Sequence, residues 1–295
     1  MAVQAIRRPL SDGRWHFQHG PIDIVLQLVG DASACHDALQ RTWQRFESVL
    51  PELVSELPLL RQPIANLQKN SFQGEVAGSM WQVTHDMAWA AADGFVTPMA
   101  AVAGAVAQAL LPCLTQDGVQ KAYVNNGGDI ALYVQEGQSW RIGMVSDLQQ
   151  ALRSDVNSEL ISDGSFVIHH DMPVRGLATS GWRGRSFSFG IADSVTVLAA
   201  TAAQADVAAT LIANAVNIHH PSVQRQAANS LRDDTDLGDR LVTVDVPRLP
   251  PALVKQALQL GLDCAHAMQS RGQVFAAFVC CQGQMAVAQP LECLV

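Results

Sequence analysis

Ser194-Val195-Thr196-Val197-Leu198-Ala199, continued by Ala200-Thr201-Ala202-Ala203-Gln204-Ala205-Asp206-Val207-Ala208-Ala209-Thr210, changes character halfway along. The apolar and hydroxyl residues of 194–199 read as a strand. The small residues after them predict a helix over 204–216. On that helix Asp206 and Thr210 stand four apart, on one face and within a turn of its N-terminus. A carboxylate and a hydroxyl pointing the same way suit a hard cation such as Mg²⁺ or Ca²⁺, whereas zinc more often recruits cysteine and histidine. The same pattern also fits an acidic residue that complements the helix dipole, worth roughly 0.3–1 kcal/mol, with Thr210 facing solvent.

Working outward, Ala122–Val124 and Ile130–Val134 read as strands around Asn126-Gly127-Gly128-Asp129, and Trp140–Val145 as a third. Ser165–Asp171 and Arg175–Ser180 add two more, and the helix of Asp206 packs back across them. Downstream come a strand over Leu241–Val246, a helix over Pro251–Gln269, and a hairpin of Val274–Cys280 with Gln284–Ala288 around Gly283. Upstream, Ile22–Val29 reads as a strand and Ala32 to about Leu50 as an amphipathic helix. Pro51, Pro58 and Pro63 then make residues 51–72 a set of short helical turns or a covering segment, and residues 81–92 look helical. Thr97-Pro98 supplies an N-cap and a first-turn proline for a helix to about Leu111. Gly104 in its middle costs about 1 kcal/mol relative to alanine, so another backbone or a ligand approaches that face closely. The expected class is α+β, mainly antiparallel sheets packed with helices. No GxGxxG opens a βαβ unit, so nothing supports a Rossmann nucleotide domain. No linker divides the 295 residues, so 1–295 reads as one domain.

With 48% hydrophobic residues the chain can bury a large core. Its 19 Lys and Arg against 27 Asp and Glu give a net charge of -8, which argues against a general nucleic-acid binder. Any anionic ligand must be held locally. Cys35, Cys113, Cys264, Cys280, Cys281 and Cys293 lack disulfide-framework spacing, so reduced, buried thiols are expected. The apolar run from Gly94 to Pro112 reads as a buried helix rather than a membrane span. The first 30 residues lack an unbroken apolar stretch, so the expected location is cytoplasmic.

Several constellations carry candidate chemistry. The paired glycines of Asn126-Gly127-Gly128-Asp129 let a ligand approach the main chain, where amides bind phosphate oxygens; an ordinary Asn-Gly hairpin turn fits as well. Gly176-Leu177-Ala178-Thr179-Ser180-Gly181 offers two hydroxyls between glycines, or a strand ending in a polar turn. Arg175, Arg183 and Arg185 flank it as a basic cluster able to pair with a pyrophosphate, or as a solvated face. His169-His170 and His219-His220 invite a metal reading, yet neighbours on a strand point to opposite faces. Asp233, Asp234, Asp236 and Asp239 miss the EF-hand spacing and read better as a solvated acidic turn.

Taken together, Thr97-Pro98-Met99-Ala100-Ala101-Val102-Ala103-Gly104, Val124-Asn125-Asn126-Gly127-Gly128-Asp129-Ile130, Gly176 to Gly181, and Ala192-Asp193-Ser194-Val195-Thr196-Val197 with Ala205-Asp206 to Thr210 resemble the ApbE-like superfamily, and most closely its uncharacterised cytoplasmic branch. Thr235-Asp236-Leu237-Gly238 is similar to that branch too, while residues 1–75 are divergent. The resemblance implies a T-fold-like architecture. It also implies FAD:protein FMN transferase chemistry, in which Mg²⁺-dependent cleavage of FAD attaches FMN to a threonine of an acceptor protein. On that basis Asp206 and Thr210 sit where the metal is held and serve the chemistry, while Asn126, Gly127, Gly128, Asp129, Thr179, Ser180 and Gly181 line a flavin-nucleotide cleft. Mg²⁺ and FAD are the implied cofactor and substrate, and an acceptor or pathway protein the implied partner, with neither nucleic acid nor membrane. Ala103 and Gln108 stand where the family's helix carries a lysine and an aspartate, and the family's histidine and Asp-Pro-Arg-Thr-Gly segment has no counterpart between Trp182 and Asp193. Two function classes follow: a metal-dependent enzyme acting on a flavin or other pyrophosphate nucleotide, or a non-catalytic binding or accessory protein, for example in sulfur assimilation.

Overall fold

Antiparallel pairing organises the chain. In a computed structural model that describes residues 4–144 and 164–290, a nine-stranded sheet runs in the order β1 (Ile6–Pro9), β2 (Trp15–His19), β3 (Ile22–Gly30), β4 (Val119–Asn126), β5 (Asp129–Val134), β8 (Gly176–Ser180), β9 (Ser194–Ala199), β12 (Ala276–Cys281), β13 (Gln284–Ala288). Each neighbouring pair is antiparallel. The middle joint is short: β5 meets β8 through Ile130 opposite Leu177 and Ala131 opposite Gly176. Two further pairs stand apart, β6 (Ser139–Met144) with β7 (Gly164–His169) and β10 (Gln224–Ala227) with β11 (Leu241–Asp245). The α+β class expected from the sequence holds.

One sheet face carries the helices. These are α1 (Ala32–Leu60), α2 (Glu75–Met87), α3 (Val102–Leu114), α4 (Ala202–Ala215) and α6 (Pro251–Gln269), with α5 (Ala228–Leu231) a single turn. α3 packs on β4 and β5, α4 on β8 and β9, and α6 on β12 and β13, around a core that includes Phe17, Phe46, Ile24, Leu26, Met80 and Leu110. On the opposite face Leu132, Ile168, Val174, Leu177 and Leu198 form a smaller core. The β6–β7 pair closes it, with Phe166 stacked on Phe278 at 6.0 Å between ring centres.

Three local readings change. α1 continues through Pro51 and Pro58 to Leu60 rather than stopping near Leu50. A helix-interior proline costs about 3 kcal/mol, but Leu53 and Leu60 are buried and Leu59 packs on the core, and each such side chain returns about 1.5–3 kcal/mol. Glu56 adds a tie, accepting from the N–H groups of Gln73 at 2.9 Å and Gly74 at 2.8 Å, where α2 begins. The segment read as helical over 81–92 starts earlier, at Glu75, and passes from α-helix to 3₁₀ turns after Met87. The segment after Thr97 opens as a 3₁₀ turn before α3, and Thr97 makes no side-chain cap; its hydroxyl donates to Asp236 instead. The strand expected to reach Val145 is described as far as Met144, and Cys293 lies outside the described residues.

α4 is fastened at its start. Thr201 is its N-cap, with Oγ1 accepting from Gln204 N–H at 3.2 Å. Thr201→Ala is expected to cost about 1 kcal/mol and roughly 2–4 °C of melting temperature. Circular-dichroism melting measures this, and an unchanged midpoint would remove Thr201 as an anchor of the helix.

Candidate functional site

A cavity of about 750 Å³ opens where α3, α4 and the second half of α1 converge. Asp206, Thr210 and Asn214, spaced four apart on α4, line it as a polar stripe. Asn126 at the end of β4 and Asp129 at the start of β5 join them, so the hairpin and the helix singled out in the sequence meet in one place. Asn214 is held in place, its Oδ1 accepting from the Phe189 N–H at 2.9 Å and the Ser188 hydroxyl at 3.0 Å.

α3 and α4 cap each other. Asp206 Oδ2 accepts from Gly104 N–H at 2.9 Å, an otherwise orphaned donor in the first turn of α3. In return Gln108 Oε1 on α3 accepts from Ala203 N–H at 3.2 Å in the first turn of α4. The dipole that Asp206 complements is therefore its neighbour's rather than its own. Gly104 makes the approach possible: a Cβ there would lie 2.3 Å from the Ala202 carbonyl oxygen and 2.9 Å from Asp206 Cβ. The close neighbour expected at this glycine is thus the α4 backbone.

The two carboxyl groups share a strained electrostatic setting. Burial pushes Asp129 up from 3.8 to about 7, against the opposing pull of the Thr179 N–H and the charge of Arg185. Burial, and then the charge of Asp129, hold Asp206 well above the ordinary carboxylate range. Each therefore makes the other harder to ionise. Among the described residues no group of three or more His, Cys, Asp or Glu side chains gathers anywhere. The donors near this corner are two carboxyls, the Thr210 hydroxyl and the Asn126 amide, an all-oxygen set on the acceptor side that fits a hard cation and not zinc.

The other candidate residues are placed as follows. Gly127 and Gly128 form a two-residue hairpin loop with φ of +68° and +114°, and Gly128 N–H donates to Asn125 Oδ1 at 2.8 Å. Thr179, Ser180 and Gly181 lie outside the cavity lining; Thr179 reaches it indirectly, donating its N–H to Asp129 Oδ1 at 3.3 Å. Of the flanking arginines, Arg175 is absorbed by the carbonyls of His170, Met172 and Val174, and Arg183 pairs with Asp193 at 3.1 Å. Arg185 lines the cavity. The aspartate-rich loop is not only a solvated turn: Asp234, Thr235 and Asp236 line the cavity as well.

Sequence reasoning missed the walls. Leu50, Leu53, Val54 and Leu57 on α1, with Phe95, Met99, Phe187 and Phe189, make most of the lining apolar. Val54 is 55% exposed, a large apolar side chain turned toward open space. Burial elsewhere on α1 repeats at helical spacing, so nothing in the local pattern marks this face as a cavity wall.

The profile of a family described as "AbpE bacteria" matches residues 7–287. The chain belongs to that family. It is thereby placed in the ApbE-like superfamily that its motifs resemble, and the match extends through the N-terminal segment that appeared divergent. Similar curated proteins are named "UPF0280 protein". The one from Methanothermobacter thermautotrophicus is 32% identical over 200 residues, 68% of this chain and 63% of its own length. That from Methanoculleus marisnigri is 38% identical over 142 residues, 48% of this chain and 54% of its own, and that from Methanospirillum hungatei 36% over 137, 46% and 52%. The chain thus spans about half to two thirds of these relatives. Among solved structures it is similar to a mutant of the flavin transferase ApbE from Vibrio cholerae, with TM-score 0.48, 13% identity and 98% and 97% of the two chains covered. A second is the apo form of Pseudomonas stutzeri flavinyl transferase ApbE, with TM-score 0.44, 13% identity and 98% and 95% covered. No helix of the described residues is long and apolar enough to cross a membrane.

Proposed function

We infer that this AbpE-family chain binds a flavin or another pyrophosphate-containing nucleotide together with a divalent cation, preferably Mg²⁺, and acts on the phosphate group. The observation that carries this is the pair Asp129 and Asp206, two carboxyls with raised pKa that line, with the Thr210 hydroxyl, a cavity walled by leucine and phenylalanine side chains. Asp206 and Thr210, joined by Asp129, are the residues that would hold the cation. When bound, such a cation neutralises phosphate charge and polarises a phosphoryl oxygen. The protein's own residues do the rest: Gly104 N–H fixes the Asp206 carboxyl, Thr179 N–H fixes that of Asp129, and the leucine and phenylalanine walls hold a planar or apolar body away from water. Motif resemblance supports FAD as the nucleotide and an acceptor protein as the recipient of FMN.

A second reading, binding without transfer, draws on the first turns of α3 and α4. Ala103 and Gln108 occupy positions where the family has a lysine and an aspartate, and Gln108 is engaged as a helix cap. Titration of the purified protein with FAD, with and without Mg²⁺, tests the common core of both readings. Metal-dependent quenching of flavin fluorescence is expected. If neither FAD nor any other pyrophosphate nucleotide binds in a metal-dependent way, the proposal fails; if FAD binds and an acceptor peptide gains no FMN, the binding-only reading stands.

A further inference from the structure

The glycine at the tip of the β4–β5 hairpin holds a cation. A Cβ added to Gly127 would fall 1.4 Å from Arg185 Nη2 and 2.7 Å from Cζ, so the guanidinium lies directly on the glycine's α-carbon. No other residue type leaves that berth open, and φ of +68° also favours glycine there. Seated in this way, Arg185 lines the cavity mouth and its charge reaches Asp129. Among the described residues, no carboxylate oxygen lies within ion-pair distance of it. Arg232, from the loop between β10 and β11, lines the same mouth, donates to the Arg185 carbonyl oxygen at 3.4 Å and stands 5.0 Å from the centre of the Phe187 ring. Two arginines from different loops therefore meet at one rim of a protein whose net charge is -8.

We propose that Arg185, berthed on Gly127, reads the anionic end of the ligand with Arg232 as its second cation, and that the pair selects a diphosphate over a monophosphate. The proposal rests on the metal-and-nucleotide reading above and adds to it a residue and a selectivity. The chemical argument is charge and reach. A single phosphate is satisfied by a cation in the carboxyl corner, leaving the two arginines with nothing to bind. A second, linked phosphate extends the anion toward the rim, where planar guanidinium groups offer paired donors. The glycine serves a different end from the one its motif suggests: it makes room for a side chain, while the neighbouring Gly128 amide stays committed to the turn.

Calorimetric titration in saturating Mg²⁺ with inorganic pyrophosphate, orthophosphate, FAD and FMN, on the wild-type protein, Arg185→Gln and Arg185→Lys, tests this. Mn²⁺ binding without nucleotide, followed by electron paramagnetic resonance, runs alongside. The wild type is expected to prefer pyrophosphate to orthophosphate and FAD to FMN. Arg185→Gln should weaken pyrophosphate and FAD by roughly 10–100-fold, the scale of a lost charge-assisted hydrogen bond. It should change FMN and Mn²⁺ binding by less than about 3-fold, and Arg185→Lys should recover part of the loss. Gly127→Ala should reproduce the loss of diphosphate preference with the arginine still present. An Arg185→Gln protein that keeps the preference, or that loses Mn²⁺ and FAD together, overturns the assignment while leaving the broader reading intact. A wild type that binds no diphosphate in Mg²⁺ overturns both.

Discussion

Asp206→Asn should make the metal-free protein more stable and abolish its metal-dependent ligand binding. Asparagine keeps an oxygen for the Gly104 N–H, so the tie between α3 and α4 survives. What disappears is the second negative charge. Asp129, raised from 3.8 to about 7, and Asp206, raised well above the ordinary range, both bind protons more tightly in the folded chain than in the unfolded one. The stability tied to these protons is present in full below pH 3.8; the Asp129 share is lost as pH rises through about 7, and the Asp206 share is lost in the same direction as pH rises through its own raised value. As pH rises through about 7 the metal-free wild type must ionise Asp129 beside a second buried carboxyl, and the variant spares it that neighbour. The variant should then melt higher above pH 7, and the difference should shrink toward pH 5. Saturating Mg²⁺ should stabilise the wild type and leave the variant unmoved. Affinity for metal should drop by more than the roughly 10–100-fold that follows loss of a ligand's supporting partner. Scanning calorimetry at three pH values with and without Mg²⁺ decides it. A wild-type minus variant difference that does not depend on pH or metal would remove the carboxyl pair from the mechanism.

The largest structural effect is expected from Gly104→Ala. Its methyl group would lie 2.3 Å from a carbonyl oxygen and 2.7 Å from the carbonyl carbon of Ala202, both backbone atoms with nowhere to go. α4 must move away from α3, and both reciprocal caps lengthen with it. Overpacking costs typically 1–3 kcal/mol, and the two stretched hydrogen bonds add about 1 kcal/mol each. Even with a helix-propensity gain of about 1 kcal/mol for alanine, the net loss should be about 2–4 kcal/mol, roughly 5–15 °C in melting temperature. Because Asp206 rides on α4, metal-dependent FAD binding should weaken in the folded fraction too. A variant that melts within a degree of the wild type would show that the helices separate freely.

The polar corner was readable because its parts are local. Four-residue spacing put Asp206 and Thr210 on one helix face, and Gly104 signalled a close neighbour before that neighbour could be named, although it stands in the first turn of α3 and not mid-helix as the sequence suggested. Element limits were readable for the same reason: helix Pro251–Gln269 and strand Gln284–Ala288 fall where the pattern puts them. What escaped depended on distance along the chain. The pairing of Asp129 with Asp206 is set by how β5 lies under α4, and no periodicity encodes it. Arg185 stood in a cluster of three arginines that look alike until the fold gives Arg175 three carbonyls and Arg183 a carboxylate. The run of α1 past Pro51 was hidden because local propensity argues against it and only tertiary burial outweighs that penalty.

Where α1 ends up has a wider bearing. Its Leu50, Leu53, Val54 and Leu57 come from the first sixty residues, while Asn126, Asp129, Asp206 and Thr210 come from another part of the chain. If the proposed ligand binds here, much of the steric choice of cargo is written in a stretch apart from the acidic corner, so exchanges among those four aliphatic side chains should re-cut the compartment for a bulkier or slimmer guest while that corner keeps its shape.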